Sequence, residues 1–165
     1  MRPMKFLSAL FIACAAISTY ANNSDKDQIK ALYAKLENAL RSKDINAVEA
    51  TEAPDFTDTE NGRKLSKAEA NKQMKTEFAS IKSLQVFKIN LTSLKINGNT
   101  AHGTTTYSMK FKSAGMTSGD KTTHSYELTG STEEDLVKTH KGWLFKSTKN
   151  KGSKLRVDGK PMKMG

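Results

Sequence analysis

The sequence predicts an α+β domain in which helices come first and a strongly bent antiparallel sheet follows. Three observations predict it. Ile29, Leu32, Tyr33, Leu36 and Leu40 recur at the spacing of one helical face. Ser66-Lys67-Ala68-Glu69 is a capping box, with Ala70, Met74, Phe78 and Ile81 as an apolar stripe behind it. Near Leu84 the period changes from helical to alternating, and Asn97-Gly98 supplies a tight hairpin signal.

The chain opens on a segment built for export. Arg2 and Lys5 precede an apolar run from Phe6 to Ile17, and Thr19-Tyr20-Ala21 offers a small-residue exit. Residues 1–21 are therefore expected to be a cleaved signal peptide, with the working chain starting near Asn22 in a periplasm or outside the cell. The apolar run falls short of the roughly 20 residues that a spanning helix needs. Lipid attachment at Cys14 is the competing reading. Cys14 is the only cysteine, so cleavage leaves a chain that cannot form a disulfide and must rest on its core.

Ser24-Asp25-Lys26-Asp27 reads as the capped start of the first helix. A short second helix begins at Asp44, places Ile45 and Val48 inward and ends before Pro54, because the residue preceding proline avoids helical geometry. The capped helix from Ser66 is the third. Phe87, Ile89 and Leu91 then alternate with polar residues. Beyond Asn97-Gly98, so do Ala101, Gly103, Thr105, Tyr107, Met109 and Phe111. After a loop at Gly115–Gly119, a strand carries His124, Tyr126 and Leu128 on one face, with Gly130 read as a bulge. Lys141-Gly142 turns the chain into a strand starting at Trp143 and Phe145, and Asp158-Gly159 marks a final turn. The main domain is taken as residues 22–150, and residues 151–165 as a basic tail with a short extra strand.

The formal net charge is +10. The cations are spread along the chain, and the densest group, at the C-terminus, has no interleaved aromatic ladder. Specific nucleic-acid binding is not expected, only weak attraction of the tail to anionic envelope surfaces. His102, His124 and His140 show no metal spacing, and neither Asp55–Glu60 nor Glu133–Asp135 follows a calcium-loop pattern, so no metal is expected. No Gly-x-Ser-x-Gly elbow, phosphate loop or dinucleotide fingerprint occurs, so no cofactor is expected either.

A sheet curled round helices leaves a concave face. If the alternation holds, Tyr107, His124, Tyr126 and Trp143 point into it together with Asp55–Glu60. Candidate ligand contacts are Tyr33, Asp58, Tyr107, Tyr126 and Trp143. The candidate catalytic pair is Glu60 with His124, one as base and the other as acid or orienter.

Arg41-Ser42-Lys43-Asp44, the short helix Ile45–Ala50, Ala53-Pro54-Asp55-Phe56-Thr57-Asp58, Gly62, the Ser66–Glu69 helix start and Gly142-Trp143 occur in an order that resembles the NTF2-like superfamily, nearest to SnoaL-like domains of the DUF4440 type. The resemblance implies a cone-shaped fold with an apolar pocket and a homodimer through the sheet. It does not imply one chemistry. Counting from Asp55, the carboxylate base of ketosteroid isomerases falls at Glu60; counting back from Asp44, their phenolic donor falls at Leu36, with Tyr33 about one turn away. Two functions follow as expectations: an exported domain that binds a small apolar or amphipathic molecule or meets a partner, and, as the alternative, a lyase or isomerase using Glu60 and His124.

Overall fold

The computed structural model describes residues 13–60, 62–115 and 120–162, with side chains from Ser24 onward. In chain order the elements are α1 (Ala13–Ser42), α2 (Ile45–Glu49), β1 (Glu52–Glu60), β2 (Arg63–Ser66), α3 (Lys67–Ser80), β3 (Ile81–Asn97), β4 (Thr100–Ala114), β5 (Thr123–Thr139), β6 (Gly142–Val157) and β7 (Lys160–Met162).

Helix α1 runs without interruption through Ala21 to Ser42, so Ser24–Asp27 is helix interior rather than a capped start. Asp25 serves the tertiary structure instead, accepting from Lys138 Nζ at 2.6 Å and from Trp143 Nε1 at 3.1 Å. The N-terminal half of the export segment, like the loop at 116–119, lies outside the described residues. Among the described side chains, the apolar core residues that α1 contributes run from Ile29 to Leu40.

The helix ends in a Schellman motif: Lys43 N donates to Leu40 O and Asp44 N to Ala39 O. Lys43 takes the left-handed position at φ 55° that glycine usually fills. Its ammonium donates to the carbonyls of Phe78 and Ile81, tying the end of α1 to the end of α3. Asp44 then caps α2 by accepting from Ala47 N at 3.0 Å.

At Ser66 the capping box is complete, with Glu69 reaching back to the Ser66 amide at 2.8 Å. Ser66→Ala is expected to lower stability by about 1 kcal/mol, read as an earlier urea midpoint at unchanged slope. Ile81, expected as the last stripe residue of α3, is the first residue of β3.

The strands form one seven-stranded sheet in the order β2-β1-β6-β5-β4-β3, with β7 on the far end of β6. The sheet is mixed rather than wholly antiparallel, because β1 lies parallel to β6, Thr57 opposite Ser147. Register shifts in the β3–β4 and β5–β6 ladders curl it. The β4–β5 ladder passes Gly130 without a shift, so that glycine is not a bulge; the nearest irregularity lies in the β5–β6 ladder, between Ser131 and Thr132. Residues 151–157, read from sequence as the start of a tail, are the second half of β6 and pair with β5.

The curled sheet wraps α1 and α3. One core cluster joins Ile29, Leu32 and Tyr33 to Phe56, Leu136, Trp143 and Phe145. The other joins Ala39, Leu40 and Val48 to Phe78, Ile81 and Met109.

Candidate functional site

Between the two clusters the sheet and helices leave a cavity of about 170 Å³, walled mainly by aliphatic and aromatic side chains. It opens into a wider chamber of about 660 Å³. Asp58, Met74, Phe87, Tyr107 and Thr132 line both and mark the junction.

Three hydroxyls of the inner cavity wall converge on Glu134 in β5, which is 5% exposed. Tyr33 Oη donates to Glu134 Oε2 at 3.1 Å and Thr105 Oγ1 to Oε1 at 2.9 Å. The Thr132 hydroxyl also contacts Oε1 and lies 2.7 Å from Thr105 Oγ1. Burial pushes the Glu134 carboxyl above its ordinary range, against the lowering effect of its three hydroxyl partners. Burial also raises the Tyr33 phenol, with Glu134 adding to the effect.

Glycine makes room for both cavity tyrosines. A Cβ at Gly103 would fall on Tyr33 Oη, and one at Gly130 would stand 2.5 Å from Tyr107 Oη and 2.8 Å from the Gly152 carbonyl oxygen. The Tyr107 hydroxyl is held by Ser153 and Asn150, and burial raises it.

Further carboxyls line the walls. Glu52, 8% exposed, accepts from Asn71 Nδ2 at 2.8 Å and is pushed up by burial. Asp58 is raised by burial and then by Glu60. In the wider chamber Gln73 Nε2 donates to Glu60 at 2.9 Å and to Glu77 at 3.0 Å. Glu77 reaches water at the rim, yet the apolar wall behind it still raises its carboxyl.

Of the residues expected from sequence, Tyr33, Asp58 and Tyr107 line the inner cavity, and Glu60 and Tyr126 the wider chamber. Tyr126, 1% exposed, stacks on Phe111 at 5.0 Å and donates to Ala114 O. Trp143 is on neither wall; it is core at the other end of α1, where its indole meets Asp25. Nor does His124 line either chamber. Its Nδ1 lies 2.6 Å from Asp158 Oδ2 and its Nε2 3.0 Å from Asp120 Oδ2, so the structure does not bring it to Glu60. Sequence reading passed over Glu134, Thr105 and Thr132. The available signal was parity: Glu134 shares the strand face of Tyr126 and Leu136 if Gly130 is not counted as a bulge.

The His124 cluster joins the start of β5 to the turn before β7. Its hydrogen bond to Asp158, then that to Asp120, raises the imidazole above its ordinary value. Asp158 is depressed first by His124, and Asp120 first by the Thr122 amide. A raised histidine contributes stability that is full below its unfolded pKa and lost as pH rises through the folded one. Depressed carboxylates contribute above their unfolded pKa and lose it as pH falls through the folded value. The Tm difference between wild type and His124→Gln should therefore peak at about pH 5 to 6 and fade as pH climbs. A difference constant with pH would show that the cluster carries no charge-linked stability.

No protein-family model and no curated protein matches the sequence. Solved structures do match. A conserved protein from Planctomyces limnophilus superposes with a TM-score of 0.66 at 15% identity, over 85% of this chain and 99% of that one. A protein of the NTF2-like family from Streptomyces avermitilis superposes with a TM-score of 0.57 at 16% identity, over 78% of this chain and 95% of that one. The chain has an NTF2-like fold. A hexachlorocyclohexane dehydrochlorinase shares this NTF2-like architecture at a TM-score of 0.65 and 11% identity, over 86% of this chain and 91% of that one. The cavity described above lies where the sheet of this NTF2-like fold curls over its helices.

Proposed function

We propose that this NTF2-like chain is exported by residues 1–21 and binds a small apolar or amphipathic molecule inside its cone. The observation that carries the reading is the inner cavity itself. It is walled by Leu36, Leu40, Phe56, Phe87 and Phe145, with the Tyr33–Thr105–Thr132–Glu134 cluster and the carboxyls of Glu52 and Asp58 among its few polar groups. An apolar site with a few convergent polar groups is the usual form of a small-ligand pocket. Among the described residues no helix is long and apolar enough to cross a membrane.

Native mass spectrometry of the full chain, expressed with its own leader and recovered from the cell envelope, tests this. The expected spectrum shows a chain beginning near Asn22 with one small molecule retained per domain, and the same spectrum reads whether two copies associate. An unprocessed chain in the cytosolic fraction would overturn export. A bare mass, combined with no thermal shift from any ring-sized apolar compound, would overturn binding.

A lyase or isomerase reading is favoured by one observation, that Asp58 and Glu134 are both held above the ordinary carboxyl range on the wall that Tyr33 also lines. Such a pair supplies a proton acceptor and a proton donor in one pocket. The acid–base pair then moves from Glu60 and His124 to Asp58 and Glu134. Loss of turnover in both Asp58→Asn and Glu134→Gln, with retained ligand binding, is the result that would distinguish it.

A further inference from the structure

The sign of the charge inside the cone is opposite to that of the chain. Of 165 residues, 27 are lysine or arginine and 17 are acidic. Yet among the described residues the charged side chains on the two chamber walls are Glu52, Asp58, Glu60, Glu77 and Glu134, and no described lysine, arginine or histidine lines either chamber. Lys67 stands 3.6 Å from Glu52. Among the described residues, Asp58, Glu60, Glu77 and Glu134 make no ion pair with any cation. Carboxyls beside an apolar wall with no cation opposite are held above their ordinary range, which is the state of Asp58 and Glu77.

The inner compartment, about 170 Å³, is close to the roughly 150 Å³ apolar cavity that admits benzene. It leads past Asp58 and the Tyr107 ring into the wider chamber, where Glu60 and Glu77 stand. A molecule with a ring-sized apolar body in the inner compartment would carry its head group beside Asp58. An anionic head there would meet three carboxylates, and a neutral one would leave them uncompensated. An ammonium would be attracted by the carboxylates and by the face of Tyr107.

Resting on the binding reading above, we propose that the ligand is an amphipathic amine, seated with its apolar body in the inner cavity and its ammonium between Asp58 and the Glu60–Glu77 rim. Fatty acids and other apolar anions are then the class that the cone rejects.

Titration calorimetry on the full processed chain with three probes of one shape tests it: 2-phenylethylammonium, 2-phenylethanol and 3-phenylpropanoate at neutral pH. The ammonium should bind about tenfold or more tighter than the alcohol, and the carboxylate should give no measurable heat. Added salt should shrink the preference. Asp58→Asn should bring the ammonium down towards the alcohol. Glu77→Gln, at the solvent-reaching rim and safe for folding, should lower the ammonium's advantage by a smaller factor. An alcohol that binds as tightly as the ammonium, or a carboxylate that binds best, overturns the amine assignment and leaves the pocket reading standing. Failure of all three probes to bind overturns both.

Discussion

Phe145→Ala should destabilise the protein by about 3 to 5 kcal/mol. Phe145 is 2% exposed, meets Tyr33 edge-on with ring centroids 5.0 Å apart, and forms part of the inner cavity wall. Truncating a core aromatic removes its transfer free energy and leaves a hole whose cost depends on how far the neighbours close in. Here they have little to close with, because one side of the ring already faces empty volume. The new void should merge with the existing cavity. Urea unfolding followed by Trp143 fluorescence should report the loss as an earlier midpoint, and a ring-sized apolar compound should recover part of it by filling the enlarged space. A loss below about 1.5 kcal/mol would mean that α1 and β6 can close together and that the cavity is not held open.

Gly130→Ala should lower stability by about 1 to 3 kcal/mol and remove the wall between the two chambers. The added methyl would stand 2.6 Å from Tyr107 Cζ and 2.8 Å from the backbone oxygen of Gly152. The backbone is paired on both sides and cannot retreat, so the ring must swing away and give up Ser153 and Asn150. If the ring is the obstacle, the same substitution in a Tyr107→Ala background should cost much less, because the two changes share one contact. Equal costs in the two backgrounds would place the strain on Gly152 instead and leave Tyr107 out of it. Ligand affinity gives a separate readout, since a displaced Tyr107 no longer borders the inner compartment.

The helices and most strands were legible because their signals are local. The Ser66–Glu69 box and the Asn97-Gly98 turn each state their own geometry, and the structure has both. The parallel pairing of β1 with β6 was not legible, because nothing near Thr57 refers to Ser147. At the site, alternation turned Tyr107 and Tyr126 inward, and both line the chambers. It failed for His124, because alternation assigns a face but not a partner, and the imidazole is taken up by Asp120 and Asp158. Glu134 was missed for a different reason. Reading Gly130 as a bulge broke the parity that would have carried the inner face from Tyr126 to Glu134, whereas the glycine is there to admit a ring from the neighbouring strand. A glycine in a strand has both explanations, and only the partner across the ladder decides between them.

The pairing of β1 with β6 also sets an order of events. The β3–β4, β4–β5 and β5–β6 ladders join neighbours in sequence and can zip as each hairpin emerges. The β1–β2 hairpin cannot join them until the chain has reached Ser147, so the closure that completes the cone is the contact of longest loop and slowest search. Until that moment the sheet over α1 and α3 lacks its β1–β2 edge. A polypeptide whose closing native contact joins Thr57 to Ser147 cannot complete its cone until nearly its whole length is available.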